Sequence, residues 1–294
     1  MFKCLSPAPL GLNASLNDLI EPALSHGFKS LELDIGAFAE QAHQAGLPVA
    51  RRLIDSATLK PAYFRLPMSL AGDDKAFAAG LGALAGQAKL AKEIGCTRSI
   101  VVLDPADDER PLHQNFVVYQ QRLTAVAKLL GEHGIDLGVG FTATPEDRAG
   151  RAFEFIRNFD ALKLLLGMIS EKNVGVVVDL FELWACDSAY QAVVEAGLKP
   201  IVIFVADAPE GVSPDDAVQT QRLLPGETGL IDTVGALQSF AAAGYDGPVV
   251  AAPHPTRFQG VPRSQVCKLA GDKLEESFKA AGIKPARKAA LLQR

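Results

Sequence analysis

The sequence predicts an α/β chain folded as a single (β/α)8 barrel, and three observations carry that expectation. Short β-branched or apolar runs alternate from end to end with longer segments patterned at helical spacing. Some of the short runs, such as VGVVVD at 174–179 and IVIFVA at 201–206, are apolar almost throughout, as parallel strands covered on both faces must be. Several helical segments end in glycine just before the next strand, at His26-Gly27, Ile94-Gly95, His133-Gly134 and Ala243-Gly244. Glycine there accepts the left-handed conformation that closes a helix. The strand count, eight, favours a closed barrel over an open sheet.

In order, the expected strands are Lys3–Ser6, Ser30–Asp34, Pro61–Leu66, Arg98–Leu103, Asp136–Phe141, Val174–Asp179, Pro200–Ala206 and Pro248–Ala252. The helical segments between them show apolar stripes, for example Phe77, Leu81, Leu84, Ala88, Ala91 and Ile94. The long connection from Asp207 to Leu230 separates the seventh and eighth strands and reads as a loop of the active face rather than a linker. One domain at 1–282 is expected, followed by a basic tail at 283–294, IKPARKAALLQR.

Composition narrows the function. The chain has 294 residues, 48% hydrophobic and 21% charged, with net charge −5; a barrel of this kind needs about 250 residues. An acidic balance without a Lys/Arg cluster argues against a nucleic-acid partner, which would require a basic face. No apolar run reaches the length that spans a bilayer, about 20 residues, so no membrane partner is expected. Pro7 and Pro9 interrupt the N-terminus before a signal-peptide stretch could form. The four cysteines, Cys4, Cys96, Cys186 and Cys267, form no CxxC pair and read as reduced, mostly buried residues. A cytoplasmic location is the resulting expectation; a homo-oligomer is left open.

Chemistry in such a barrel stands at the carboxyl ends of the strands. Those ends read Ser6, Asp34, Arg65, Asp104, Gly140, Asp179, Asp207 and Ala252, with His254 just beyond. In the second strand Glu32 and Asp34 share one face and Leu31, Leu33 and Ile35 the other, which turns the two acids toward the barrel mouth. The alternative for each aspartate is a cap on the following helix. His26, His43, His113 and His133 have explanations as helix residues, whereas His254 stands at the mouth. Gly138 and Gly140 lie inside a strand with no lysine or helix start after them, so they make no phosphate cradle. Arg65 and Arg222 are candidate anion-pairing residues. Trp184 could stack on a sugar or fill the core, and Glu227 could reach the active face or sit in a plain turn.

Several stretches carry a family resemblance: LNDLIEPALSHGFKSLELDI, LAKEIGC, AKLLGEHGIDLGVGF, NVGVVVDLFEL and, more specifically, IFVADAPEGV, RLLPGETG and GYDGPV. Together they resemble the sugar phosphate isomerase/epimerase family, the xylose isomerase-like TIM barrels. The resemblance implies a sugar or polyol ligand and one divalent ion held by Glu, Asp, His and Glu on strands five to eight, the two glutamates also moving the substrate proton. It further implies a sugar-holding His three residues after the strand-six Asp. Carried onto this chain, those positions hold Gly140, Asp179, Phe204 and Ala252, and the sugar-holding position holds Glu182. Asp179 alone matches a ligand, while a hard divalent cation wants about six donors.

The expectation is therefore a family framework with impaired or absent metal-dependent isomerase activity. Its candidate catalytic residues are Asp179 and Glu182. Its candidate ligand-binding residues are Glu32, Arg65, Glu182, Trp184, Asp207, Arg222 and His254. Mn, Mg or Zn enters only if Asp179, Glu182, Asp207 and His254 rebuild a site. An active isomerase, epimerase or lyase on such a relocated site is one alternative, and a non-catalytic interaction protein is another.

Overall fold

The computed structural model describes residues 1–57 and 59–284. Its centre is a closed barrel of parallel strands: β1 Phe2–Leu5, β2 Ser30–Leu33, β3 Lys60–Arg65, β4 Arg98–Leu103, β5 Asp136–Phe141, β6 Val174–Asp179, β7 Pro200–Val205 and β8 Pro248–Ala251. Each strand pairs with its neighbour in sequence, and β1 closes the ring against β8 through Phe2–Pro248 and Lys3–Val249. Three expected strands agree to the residue; the other five differ by one residue at one or both ends. A small antiparallel ribbon, Ala106–Asp107 with Phe153–Glu154, sits above the barrel and had no counterpart in the sequence reading.

Helices α1 Leu16–Ser25, α2 Ile35–Ala45, α3 Leu47–Ala57, α4 Asp74–Glu93, α5 Leu112–Glu132, α6 Phe159–Gly167, α7 Leu180–Ala185, α8 Tyr190–Glu195, α9 Thr233–Ala242 and α10 Arg263–Ala280 surround the strands. Several begin on a short polar side chain that accepts an otherwise unpaired first-turn amide. Asp73 takes the Ala76 amide at 2.7 Å, Asn158 that of Ala161 at 2.9 Å and Asp232 that of Gly235 at 2.8 Å. Asp34 belongs to this group. It lies one residue past β2, takes the Ala37 amide at 2.9 Å and is a helix cap on the outer rim, not an inward partner of Glu32.

Strand alternation divides the interior into two cores. Val176 and Val178 of β6, or Val249 and Ala251 of β8, face the helices, while Val177, Val250 and Ala252 face the barrel axis beside Tyr63, Ile201 and Phe204. Gly138 of β5 is required here: a Cβ would stand 2.8 Å from the Ile201 Cβ. Cys4, Cys96 and Cys267 are buried thiols and Cys186 is partly buried; all four are free. Ile283 still packs on the outer core. The expected basic tail lies, from residue 285 onward, outside the described residues. No helix among the described residues is long and apolar enough to cross a membrane.

Candidate functional site

A cavity of about 280 Å³ opens at the carboxyl end of the barrel. Its floor is apolar, formed by Val177, Phe204, Gly140 and Ala252; its polar wall carries Arg65, Asp147, Asp179, Glu182, Gln219, Arg222 and His254. Asp179 ends β6 and caps α7, its Oδ1 accepting the amides of Phe181 at 3.0 Å and Glu182 at 3.4 Å. The first turn of α7 then sets Glu182 beside it.

Arg222 arrives from the long loop after β7, and Asp207 fixes that loop. The Asp207 carboxylate is fully buried and accepts four amides, from Ala208 (2.9 Å), Thr228 (2.9 Å), Gly229 (2.7 Å) and Ile231 (3.0 Å). Burial alone would raise its pKa; the amide donors outweigh burial and hold it below the ordinary range. An antiparallel bridge from Asp207 to Leu223 ties the segment next to Arg222 to the end of β7. Asp207 thus stands outside the cavity and acts on it through Arg222.

All three nitrogens of the Arg222 guanidinium are engaged. Its Nη1 donates to Asp179 at 3.0 Å, its Nη2 to Glu182, its Nε to Gln219 at 2.7 Å, and its plane lies 4.5 Å from the centre of the Phe181 ring. Glu182 also accepts the Ala143 amide at 2.6 Å and the Gln219 side-chain amide at 2.8 Å. Burial pushes the Glu182 carboxyl up, and the Arg222 charge opposes it. The two carboxylates outweigh burial at Arg222 and push its pKa higher still, so the guanidinium is a permanent cation.

A second ion group stands across the mouth. Inside the barrel Glu32 accepts hydrogen bonds from Ser6 Oγ, from Tyr63 OH at 2.9 Å and from Arg65 Nε at 2.8 Å. Those bonds orient Arg65, whose guanidinium lies 6.0 Å from the Phe204 ring centre. Its side chain is 45% exposed, and Nη1 and Nη2 hold no hydrogen bond among the described residues.

Of the other candidates, His254 lines the cavity, its Nδ1 paired with Thr256 Oγ1 at 2.7 Å. Trp184 does not: it packs against Phe181 with ring centres 5.4 Å apart, on the core side. Glu227 is held by Arg257 at 2.8 and 3.0 Å. Gln219 and Asp147, which the sequence did not single out, join Thr144 and Glu182 in one hydrogen-bonded set. They lie in short 3-10 turns, Pro145–Arg148 and Gln219–Gln221, with no motif around them.

The four positions to which the resemblance assigns metal ligands, Gly140, Asp179, Phe204 and Ala252, line this one cavity. The donor set does not fit the ion. Phe204 offers a ring that meets Tyr63 edge-on at 6.1 Å, Gly140 and Ala252 offer no donor, and Asp179 is already bonded to Arg222 and two amides. The rebuilt site fares no better. Asp207 is turned into its loop, and among the described residues no three His, Cys, Asp or Glu side chains converge to hold a metal.

Comparison with known proteins agrees with the architecture. A family model described as a xylose isomerase-like TIM barrel matches residues 20–268. A xylose isomerase domain protein from Alicyclobacillus acidocaldarius superposes with a TM-score of 0.84 at 23% identity, over 96% of this chain and 99% of that one. An IOLI protein with a binding zinc atom gives 0.77 at 16% identity, over 99% and 100%. D-psicose 3-epimerase from Clostridium cellulolyticum H10, determined with D-tagatose, gives 0.71 at 14%, over 96% and 99%. No curated protein matched the sequence.

Proposed function

The chain belongs to the xylose isomerase-like TIM barrel family, and we propose that it binds a small sugar or polyol at the barrel mouth without the family's divalent ion. One observation carries this reading: the Arg222 guanidinium pairs with both Asp179 and Glu182 where the family pattern calls for a metal. A fixed internal cation offsets one of the two carboxylate charges and occupies both carboxylates before any ligand arrives. The same reading removes the two-glutamate proton transfer, because Gly140 and Ala252 carry no acid or base.

Support for a polyhydroxylated ligand comes from the cavity itself. The Phe204 ring and Val177 provide an apolar floor for C–H faces, while Arg65, Asp147 and His254 reach it from the rim. A sugar epimerase among the structural relatives, determined with a ketohexose, agrees with that chemistry.

Calorimetry with D-fructose, D-tagatose, D-xylose and myo-inositol, run in EDTA and then with Mn²⁺, Mg²⁺ or Zn²⁺, tests the reading. We expect at least one probe to bind with the same affinity in EDTA as with metal. A stoichiometric divalent ion that survives purification and disappears in Asp179→Ala would overturn it.

A further inference from the structure

Strands β3 and β4 separate early. They pair only through Phe64–Ser99 and Arg65–Ile100, followed by the Leu66 amide donating to the Ile100 carbonyl at 2.7 Å. The next residue is Pro67, which has no N–H to continue the ladder, whereas β4 runs on to Leu103. Along a parallel strand alternate peptide groups face the same neighbour. Ile100 faces β3, and so does Val102. Its N–H and C=O meet no backbone partner on that side among the described residues, and Val102 is 43% exposed although it belongs to a barrel strand.

Beside this free edge lies a slot of about 340 Å³. Arg65 and Val102 line both the slot and the central cavity, so the two spaces meet at the guanidinium that has unused nitrogens. The slot carries polar groups with unused hydrogen-bonding capacity. Ser69 Oγ accepts the Ala71 amide at 3.0 Å and keeps its own proton to donate. The Tyr119 hydroxyl holds no hydrogen bond among the described residues, and burial, then the nearby Asp104 carboxylate, keep it protonated. Asp104 accepts the Ala106 amide at 3.2 Å and Arg151 Nη1 at 3.5 Å, both through Oδ1, which leaves Oδ2 open. Leu66 and Met68 supply apolar wall. Mixed single donors and acceptors over an apolar wall suit hydroxyl groups.

We propose that this slot is a second subsite, and that the ligand is a sugar or polyol bearing a second hydroxylated unit, a disaccharide or glycoside, with its linkage beneath Arg65. The inference rests on the sugar reading above and deepens it. The ligand's central unit would fill the cavity over Phe204, and the second unit would bond the Val102 peptide group, Ser69, Tyr119 and Asp104.

Calorimetry against single sugars (D-glucose, D-fructose, myo-inositol) and two-unit compounds containing them (cellobiose, sucrose, galactinol) reads this directly. We expect a two-unit compound to bind at least tenfold tighter than its single-unit counterpart. Ala71→Trp, which places an indole in the slot, should erase that difference while leaving the single-unit affinity within twofold. Tyr119→Phe, which removes only a hydroxyl, should weaken the two-unit compound several-fold and the single unit not at all. A two-unit compound that binds no tighter than its component overturns the second subsite and leaves the sugar reading standing, and so does equal weakening of both classes by Ala71→Trp. Failure of every single and two-unit probe to bind overturns the sugar reading itself.

Discussion

Two arginines face each other across the barrel mouth, and they differ in what is left of them. Arg222 is buried, with Nε, Nη1 and Nη2 committed to Gln219, Asp179 and Glu182 and one face against Phe181. Arg65 is half exposed, held at Nε by Glu32 and open at both terminal nitrogens. The first is part of the protein's internal charge balance; the second is an oriented receptor. Residue type says nothing of that difference, because it is set by how many acceptors the fold brings to each guanidinium.

The largest effect that tests this contrast belongs to Arg222→Met. Removing one partner of a buried charge group leaves the others uncompensated, and a loss of about 3–5 kcal/mol at neutral pH is expected from chemical denaturation. Without the guanidinium the buried Glu182 carboxyl titrates still higher, so the folded state binds a proton that the unfolded chain has released. The variant should therefore regain stability as pH falls toward the Glu182 pKa. A variant as stable as the parent, or one indifferent to pH, would remove the idea that Arg222 stands in for a cation.

Asp207→Asn comes next. The amide replaces one of two accepting oxygens with a donor that faces backbone N–H groups, and a loss of about 2–3 kcal/mol follows. Because the damage lies in the loop, proteolysis between 207 and 231 should accelerate before global unfolding does.

The parent protein should also lose stability in acid, in a defined direction. Burial raises the Asp107 carboxyl, but the Arg110 and Glu109 amides and the Asn115 and Arg110 side chains outweigh it and lower the pKa to about 2; Asp207 is lowered by its own amides. Each stabilises the fold above the ordinary aspartate pKa of about 4, and that contribution disappears as pH falls through the lower folded value. Denaturation midpoints that stay flat from pH 5 to pH 2 would contradict both assignments.

The smallest change in stability is expected for Arg65→Met, about 1 kcal/mol or less, since Glu32 keeps Ser6 and Tyr63. Its effect should instead fall on ligand affinity, about tenfold or more, as the loss of charged hydrogen bonds implies. Stability loss matching that of Arg222→Met would erase the contrast between the two arginines.

The barrel was legible because its signals are local and repeated. Runs such as VGVVVD and helix-closing glycines repeat along the chain, and each unit corroborates the next. That Gly140, Phe204 and Ala252 stand at the positions of family metal ligands was legible only through the resemblance, and all three line the cavity. The cation that answers Asp179 was not. Arg222 stands forty-three positions later in an irregular loop, and no periodicity says where such a side chain returns. Asp34, Asp179 and Asp207 all look alike as acids at strand ends. Counting donors around each separates them into a cap, a cap that also holds Arg222, and a fastening for a loop.

That fastening has a kinetic meaning. Four amides gathered on one shielded carboxylate hold the segment above the mouth in place with or without a guest. Nothing there needs to swing shut, so capture should proceed in a single step whose speed scales with guest concentration and does not plateau at the rate of a closing motion.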